Sequence, residues 1–285
     1  MTDKDKIKIA FSKAAATYDA HSGLQREVAS LLAERICAYI DRYAGAMEPA
    51  CSPADATAPF PGPSSPSMAV LDVGCGTGRV IEALGCALPD ARIHGCDISF
   101  AMLGKARGKL GPAALIASDC EALCFADSSF DIIASSLTYQ WSGDLKASIR
   151  EAKRTLKPGG LFAFSTLGPG TLHELYECYS SVCEYRRPIE LKGADEIRGL
   201  IKDSGLEAVS IESIRIVKDY PHLMGLVKTL KNLGASPNRD TGGEGLSKGA
   251  LLKEAGRIYR ERFPAPEGAG IQATYDVIYA ATRKG

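Results

Sequence analysis

Residues 70–78, with the sequence VLDVGCGTG, constrain the fold of this chain more than any other segment. An apolar run carries one acid, Asp72, and then breaks into glycines at alternate positions, Gly74, Gly76 and Gly78. Glycine suits a backbone that turns sharply or touches a ligand, because it has no Cβ to clash. A helical pattern begins at Arg79, so the segment predicts a strand, a tight turn and a helix N-terminus. Such a unit places a ligand at the carboxyl edge of a parallel sheet.

The spacing of the glycines and the position of the acid indicate the kind of ligand. Gly-x-Gly-x-Gly differs from the Gly-x-Gly-x-x-Gly of dinucleotide-binding folds. A carboxylate at Asp72 would repel a pyrophosphate but would attract a cationic amino-acid head group. The segment resembles motif I of the class I S-adenosylmethionine-dependent methyltransferases. That resemblance implies S-adenosylmethionine as the cofactor and S-adenosylhomocysteine as the product.

Composition argues against several other classes of protein. The chain has 285 residues and a formal net charge of zero, so no overall field draws it to nucleic acid or an anionic membrane. No apolar run approaches the roughly 20 residues of a membrane span, and residues 1–10 lack the apolar core of a signal peptide. The nine cysteines and four histidines show neither Cys-x-x-Cys pairs nor metal-ligand spacing. We therefore expect a cytoplasmic protein with free thiols and no metal ion.

The chain divides into three parts. Residues 1–44 include a helical pattern at 24–43 with one apolar face, and they predict a helical segment that closes over the site. Residues 45–68 are rich in Pro, Ala and Ser and predict a flexible insertion, because they cannot bury enough apolar surface to order themselves. Residues 69–285 form the predicted methyltransferase domain.

Strands and helices alternate through that domain, an order typical of an α/β fold with a Rossmann-like, doubly wound and mostly parallel sheet. The predicted strands are 69–73, 92–96, 114–118, 130–135, 161–165, 207–217 and 273–281. The predicted helices between them are 79–88, 99–110, 144–156, 171–184 and 194–204, with 157–160 (KPGG) ending the third. Residues 220–266 carry helical patterns at 223–233 and 246–262 and predict a helical cap inserted before the last strand.

Polar residues at the carboxyl ends of these strands are the first candidates for cofactor contacts. Asp97 ends the second strand 23 residues after Gly74, the offset at which an acid accepts both hydroxyls of a ribose; alternatively it caps the next helix. Asp119 ends the third strand, where it could accept from an adenine amino group or serve as a cap. The cofactor-binding candidates are Asp72, Gly74, Cys75, Gly76, Gly78, Asp97, Ile98, Met102, Asp119, Cys120 and Ser136.

Further motifs resemble those of one methyltransferase family in particular. They are residues 9–19 (IAFSKAAATYD) with Leu24-Gln25 after them, 119–123 (DCEAL), Gln140-Trp141, 165–175 (STLGPGTLHEL) and 230–235 (LKNLGA). Together they are similar to the malonyl-[acyl-carrier protein] O-methyltransferases of biotin synthesis, over nearly the whole chain except the Pro-rich insertion. The chain departs from that family at Cys124, where proline is common, and at Thr138-Tyr139, where small apolar residues are usual.

The resemblance implies methyl transfer to the free carboxylate of a malonyl thioester, which gives the methyl ester that primes pimeloyl synthesis for biotin. Because a carboxylic acid is ionised at neutral pH, this reaction needs alignment of the reactants and not a general base. An arginine suits the substrate carboxylate, since its planar fork matches it bidentately. The catalytic candidates are Tyr18, which would close over the cofactor, Gln140, Trp141, Arg186 and Arg187. Ordinary packing for the aromatic residues and a solvated surface for the arginines are the alternatives.

The expected partner is an acyl carrier protein or coenzyme A that carries malonyl, with neither nucleic acid nor membrane. An acidic carrier protein would require a local basic patch, for which the candidates are Lys228, Lys231, Arg257, Arg260 and Arg262. Two other functions stay open. One is methylation of another small carboxylic acid such as trans-aconitate, or of a quinone or polyketide oxygen, for which His173 is the histidine placed to act as base. The other is a cofactor-binding protein without catalysis, against which the intact glycine turn argues.

Overall fold

The computed structural model describes residues 3–44, 68–110, 114–183, 190–235, 248–268 and 270–285. The strands are β1 (Ala69–Val73), β2 (Arg92–Asp97), β3 (Ala114–Ala117), β4 (Phe130–Ser136), β5 (Leu156–Leu167), β6 (Glu207–Tyr220) and β7 (Ile271–Arg283). They form one sheet in the order β3-β2-β1-β4-β5-β7-β6. All neighbouring pairs are parallel except those of β7, which runs antiparallel to β5 and β6. The predicted mostly parallel sheet is confirmed.

Ten helices surround the sheet in the described residues. They are α1 (Asp3–Ala14), α2 (Tyr18–His21), α3 (Gly23–Ala44), α4 (Arg79–Ala87), α5 (Phe100–Leu110), α6 (Leu145–Thr155), α7 (His173–Ser180), α8 (Ala194–Asp203), α9 (Leu223–Asn232) and α10 (Lys248–Arg262). The central strands β1 and β4 are buried almost throughout, as helices on both faces require. None of these helices is long and apolar enough to cross a membrane.

The register of the central strands sets the position of the site. Val73 at the end of β1 lies opposite Cys96 near the end of β2. The backbone N–H groups of Gly74 and Cys75 both donate to the carbonyl of Cys96, at 2.7 and 2.9 Å. The glycine turn is therefore fixed to the carboxyl end of β2, where Asp97 projects.

The N-terminal helices and the first cap helix meet above the carboxyl edge. The turn after α9 contains Gly234 with a φ of +74°, where a Cβ would lie 3.2 Å from the backbone of Ala10 in α1. This close approach and the positive φ both favour glycine. His21 of α2 contacts Asn232 of α9 through side-chain nitrogens 2.9 Å apart.

One predicted boundary is wrong. The segment 157–160 does not separate a helix from a strand, because α6 ends at Thr155 and β5 already begins at Leu156. The strand is extended by the C-terminal residues: the N–H of Gly159 donates to Lys284 O at 2.7 Å, and Lys284 N–H donates to Gly160 O at 3.2 Å. These hydrogen bonds join residues far apart in sequence, so local propensity did not reveal them.

The other boundaries shift less. Asp144 is the N-cap of α6 and not its first residue, since its side chain accepts from Ala147 N–H at 3.0 Å. The helix predicted at 171–184 covers only His173–Ser180. The insertion predicted at 45–68 falls outside the described residues except for Met68, and so do Arg186 and Arg187.

Candidate active site

The glycine turn follows β1 and adopts backbone angles that favour glycine. Gly74, Gly76 and Gly78 have φ values of +70°, +53° and +89°. A Cβ on Gly74 would lie 2.2 Å from the Thr138 hydroxyl oxygen, so a larger residue would displace the loop after β4. The turn thus brings its backbone against the end of β4 without a side chain between them.

Asp72 is a buried carboxylate without a partner. Both of its oxygens are inaccessible and make no hydrogen bond in the structure, whereas most buried polar groups in proteins are paired. Burial, and then the nearby Asp97 carboxylate, raise the pKa of Asp72 well above its ordinary value. A cationic ligand would restore the partner that this carboxylate lacks.

Asp97 is held in a fixed orientation by backbone donors. It accepts from Gly76 N–H at 2.9 Å and from Ser99 N–H at 2.8 Å. Burial raises the pKa of Asp97, and these two hydrogen bonds partly oppose the rise. Asp97 therefore orders the start of the segment that leads into α5, as a cap does. It also lines the cavity described next, so a ligand contact stays open as well.

A cavity of about 100 Å³, called here the smaller cavity, lies at the carboxyl ends of β1, β2 and β3. Eight of the cofactor candidates line it: Gly74, Gly76, Asp97, Ile98, Met102, Asp119, Cys120 and Ser136. Asp72, Cys75 and Gly78 do not line its wall. The Cys75 side chain packs with Ile81 and Leu103 in an apolar cluster, and a Cβ on Gly78 would clash with Leu110.

Lys4 of α1 reaches across the smaller cavity, which the sequence did not reveal. Its ammonium lies 2.6 Å from a carboxylate oxygen of Asp119 and 2.6 Å from one of Glu121. The other oxygen of Asp119 accepts from Glu121 N–H at 3.0 Å. Typical ligand pockets have volumes of about 300–1,000 Å³, so the smaller cavity by itself is below the usual size for a ligand.

Asp19, in α2, ties the N-terminal segment to the glycine turn. It accepts from the Thr77 hydroxyl at 2.7 Å, lies 3.3 Å from the Arg79 guanidinium and contacts the Lys109 ammonium. Burial tends to raise the pKa of Asp19, but the hydrogen bonds of Lys109 and Thr77 outweigh it, and the pKa lies below its ordinary value. The neighbouring residue, Tyr18, is thereby fixed beside the smaller cavity.

A second cavity of about 820 Å³, the larger cavity, adjoins the smaller one. Seven residues line both: Lys4, Ile7, Phe11, Tyr18, Leu137, Trp141 and Ser142. Phe11 of α1 packs edge-on against Trp141, with ring centroids 5.3 Å apart. Burial, with the charges of Asp97 and Asp19, raises the pKa of Tyr18, so its hydroxyl stays protonated at neutral pH. Aromatic and apolar groups therefore surround the junction of the two cavities.

Gln140 lines the larger cavity, but both ends of its amide are already engaged. Its nitrogen donates to Leu137 O at 2.7 Å, and its oxygen accepts from the Thr166 hydroxyl at 3.2 Å. Leu137 has a φ of +50°, which is strained for a side chain of this size. The side chain of Gln140 thus holds the loop after β4 in a conformation that lines the junction.

Several of the candidate cationic residues already have acidic partners. Arg257 is fully engaged with Glu254 and Glu261 on its own helix, and Arg262 lies 3.9 Å from Glu177. In the larger cavity, Lys218 pairs with Glu27. His173, the candidate base, lies 3.5 Å from the buried Glu174 and does not line either cavity.

Comparison with known proteins identifies the family. Residues 71–164 match the model of the methyltransferase domain family. A malonyl-[acyl-carrier protein] O-methyltransferase of Dechloromonas aromatica is 34% identical over 99% of this chain and 95% of its own length. The chain belongs to the malonyl-[acyl-carrier protein] O-methyltransferase family. A second member, from Geobacter sulfurreducens, is 31% identical over the full length of both chains. The biotin biosynthesis bifunctional protein BioHC of Teredinibacter turnerae is 33% identical over 99% of this chain and 47% of its own length.

Two solved structures share the fold of this chain. The YcgJ protein of Bacillus subtilis covers 77% of this chain and 92% of its own with a TM-score of 0.54 and 19% identity. Protein BH2331 of Bacillus halodurans covers 77% of this chain and 94% of its own with a TM-score of 0.52 and 17% identity. The predicted class I methyltransferase fold and the resemblance to this family are both confirmed.

The residues around the smaller cavity fit the cofactor of a methyltransferase. The unpartnered carboxylate of Asp72 could accept from a cationic group, and the carboxylate of Asp97, which lines the cavity at the end of β2, could accept from hydroxyl groups. The described residues hold no group of three or more His, Cys, Asp or Glu side chains placed for a metal ion.

Proposed function

We propose that this protein transfers a methyl group from S-adenosylmethionine to the free carboxylate of a malonyl thioester, in the branch of metabolism that leads to biotin. Membership of the family supports the reaction. One observation of the structure supports the proposal most: the smaller cavity, whose lining residues Gly74 and Asp97 neighbour the buried, unpartnered carboxylate of Asp72, shares seven lining residues with a second, much larger cavity. The first suits a cationic cofactor and the second an acyl substrate.

Bound S-adenosylmethionine would supply an electrophilic methyl group on a sulfonium. Asp72 would hold the ammonium of the methionine moiety, and Asp97 would accept from the ribose hydroxyls. Asp119 would accept from the adenine amino group after Lys4 has released it, and Ile98 and Met102 would pack against the ring. The remaining members of the set, Gly74, Cys75, Gly76, Gly78, Cys120 and Ser136, would shape the backbone around the cofactor.

The protein does not need a base for the substrate carboxylate, which is already ionised at neutral pH. Its contribution is alignment of the reacting atoms and exclusion of water. Tyr18, Phe11 and Trp141 surround the junction of the cavities, where they would close over the reactants. Gln140 would hold Leu137 in place, and the second N–H of its amide would remain available to the substrate.

The carboxylate also requires a counter-charge. In the part of the chain that the structure describes, the lysines that line the larger cavity are Lys4, Lys6 and Lys218, and each already has an interaction partner. Arg186 and Arg187 remain the proposed ligands of the substrate carboxylate. Removing either arginine is expected to raise the KM for the malonyl thioester about tenfold or more.

We further propose that residues 1–44 act as a segment that closes over the site, that residues 69–285 form the methyltransferase domain, and that residues 220–266 serve as its cap. S-adenosylhomocysteine would be the product and no metal ion would take part. An acyl carrier protein is the proposed carrier of malonyl, and coenzyme A is the alternative. Lys228 and Lys231 lie on the exposed face of α9 and offer a basic surface for an acidic carrier protein.

Mass spectrometry of the purified protein with S-adenosylmethionine tests the reaction. Malonyl-acyl carrier protein, malonyl-coenzyme A, free malonate and trans-aconitate are supplied in parallel. The proposal predicts a mass increase of one methyl group on a malonyl thioester, far faster than on either free acid. Methylation of a free acid alone would contradict the substrate, and binding of cofactor without any transfer would contradict the reaction.

A further inference from the structure

The larger cavity has more room than the malonyl group requires. Its volume of about 820 Å³ lies near the upper end of the range of about 300–1,000 Å³ for pockets that enclose drug-sized ligands. A malonyl group beside Tyr18 would fill only one end. The part of the substrate that continues from the malonyl group is the thioester arm of its carrier, so the rest of the cavity is available to that arm.

Gln25, in the first turn of α3, lines this cavity and has an unsatisfied acceptor. Its side-chain amide oxygen is inaccessible and has no hydrogen-bond partner in the structure. A buried carbonyl oxygen without a donor is costly, and few such groups occur in folded proteins. A ligand that brings an N–H group to this wall would remove that cost.

Tyr220 and Tyr275 supply a donor in the same cavity. Their hydroxyl oxygens lie 2.9 Å apart, so one hydroxyl donates to the other. The hydroxyl that accepts still has its own hydrogen to donate elsewhere. Burial raises the pKa of both tyrosines, which keeps both protonated at neutral pH.

Two ion pairs place Gln25 on the same side of the cavity as Tyr220 and Tyr275. Arg35 contacts Glu212, and Lys218 contacts Glu27, so α3 lies along β6 with its first turn at the end of that strand. Tyr220 ends β6, and Tyr275 lies near the start of the adjacent β7. The charge of Lys218 is already paired, and the carboxylate of Asp219 also lines this wall, so the wall disfavours a phosphate, while its neutral acceptors and donors suit an amide.

We propose that Gln25, Tyr220 and Tyr275 form a binding site for the amide-bearing pantetheine arm of the malonyl thioester, an inference that rests on the proposed function. When the arm binds, the side-chain amide of Gln25 turns towards the cavity, and its oxygen accepts from the N–H of the outer amide of the arm, the one farther from the sulfur. The free tyrosine hydroxyl donates to the carbonyl of that amide. The arm then runs from the junction at Tyr18 towards the end of β6.

Shortening the substrate tests this site. Malonyl-pantetheine carries both amides of the arm, whereas malonyl-N-acetylcysteamine lacks the outer one. The wild type should have a higher kcat/KM for malonyl-pantetheine than for the short substrate, and the ratio of the two values measures this preference. That preference should fall about tenfold in Gln25→Leu and several-fold in Tyr220→Phe and Tyr275→Phe, while activity on the short substrate changes little.

Tyr259→Phe is the matched control. The Tyr259 hydroxyl donates to Gln272 O at 2.8 Å and does not line the cavity, so its removal should leave the ratio unchanged. An unaltered preference in all three cavity variants would overturn the site. If Gln25→Leu fails to fold, the tyrosine variants decide, because each removes only one hydroxyl.

Binding is also measured without turnover, through the fluorescence of Trp141, the single tryptophan of the chain and a residue of both cavities. If neither thioester is methylated but malonyl-pantetheine binds more tightly than the short analogue in a Gln25-dependent way, the proposed function fails and the site stands. If both are methylated and no variant alters the preference, the function stands and the site fails.

Discussion

Gly74 and Asp97 of the smaller cavity neighbour the buried and unpartnered carboxylate of Asp72, whereas in the larger cavity Lys218 is paired, and Gln25, Tyr220 and Tyr275 present neutral groups. Asp72 beside the first and Gln25 in the second both carry unsatisfied acceptors, but only one of them is ionisable. A carboxylate selects a cation, and a neutral amide selects another hydrogen-bonding group. The two regions therefore differ in what they can bind, although they share the wall around Tyr18.

The two regions also differ in how the chain builds them. The smaller cavity is formed mainly by the segments that follow β1, β2, β3 and β4, while the larger one takes its walls from α1, α3, α9 and the ends of β6 and β7. A site made of contiguous segments depends on local backbone geometry. A site made of distant segments depends on contacts such as those of Asp19 that hold the segments together.

Replacing Asp72 by Asn should have the largest effect and should separate binding from stability. The change removes the counter-charge for an ammonium, so affinity for S-adenosylhomocysteine should fall at least about 100-fold. It also removes an unpartnered buried carboxylate, so the Tm of the free protein should rise by about 2–4 °C. Calorimetric titration and thermal unfolding measure the two effects.

Asp131→Asn is the matched control for that variant. Asp131 is also a buried carboxylate, but it accepts from Ala69 N–H at 2.9 Å and from Lys157 at 2.8 Å. Its replacement should lower the Tm and leave the affinity unchanged. A lower Tm in both variants would contradict the absence of a partner at Asp72.

Asp19→Asn should weaken S-adenosylhomocysteine binding about tenfold, because the N-terminal segment loses its ion pairs with Arg79 and Lys109. The fluorescence of Trp141, which packs on Phe11, should shift towards that of a solvated indole. Glu82→Gln breaks another contact of Arg79 and should change neither property. An identical shift in both variants would argue against a specific role for Asp19.

The stability that the ion pairs of Asp19 contribute depends on pH, and the lowered pKa of Asp19 gives the sign of that dependence. A carboxylate with a folded pKa below its unfolded value stabilises the fold above the unfolded pKa. That stabilisation is lost as the pH falls through the lower folded value, here below the ordinary 3.8 of an aspartate. In Asp19→Asn, the loss of stability on acidification should accordingly be smaller than in the wild type, as measured by urea unfolding at several pH values.

Thr166→Val should have a moderate effect, a fall in kcat of about three- to tenfold with little change in the KM for S-adenosylmethionine. The variant keeps the shape of the side chain but removes the donor to Gln140, which frees the loop at Leu137. Thr166→Ser should restore the rate. Thr282→Val removes a comparable buried hydroxyl bonded to Phe162 O at 3.1 Å, and equal loss of kcat there would show a general packing effect.

Proton release should give the smallest signal. Because the pKa of Asp72 is raised in the free protein, binding of an ammonium beside it favours the ionised form. S-adenosylhomocysteine binding should release a fraction of a proton at pH values above the ordinary 3.8 of an aspartate, and the affinity should decline as the pH falls. Titration calorimetry in buffers of different ionisation enthalpy measures this release, which should be absent in Asp72→Asn.

The contrast between the cavities also explains what could be predicted from the sequence. Strand ends and the glycine turn place Gly74, Asp97 and Asp119 together, because the register of a parallel sheet follows from local patterns. Local pattern did not reveal that Cys75 faces an apolar cluster, since the direction of one side chain in a turn depends on its neighbours.

Contacts between residues that are far apart in the sequence could not be predicted from local patterns. Lys4 pairs with Asp119 over 115 positions of sequence, and Tyr220 meets Tyr275 only because β6 and β7 are neighbours in the sheet. Asp19 lies inside a motif that resembles the family, yet its partners in α4 and α5 appear only in three dimensions. Co-variation among homologues would be a sequence signal for such pairs.

A crystal structure of the protein with S-adenosylhomocysteine and malonyl-pantetheine would show whether the two cavities form one reaction site. We expect the cofactor ammonium within hydrogen-bond distance of Asp72 and the malonyl carboxylate beside Tyr18, directed at the sulfur. We also expect the pantetheine arm to extend along Gln25. A thioester bound outside the larger cavity, or a carboxylate directed away from the sulfur, would contradict this arrangement.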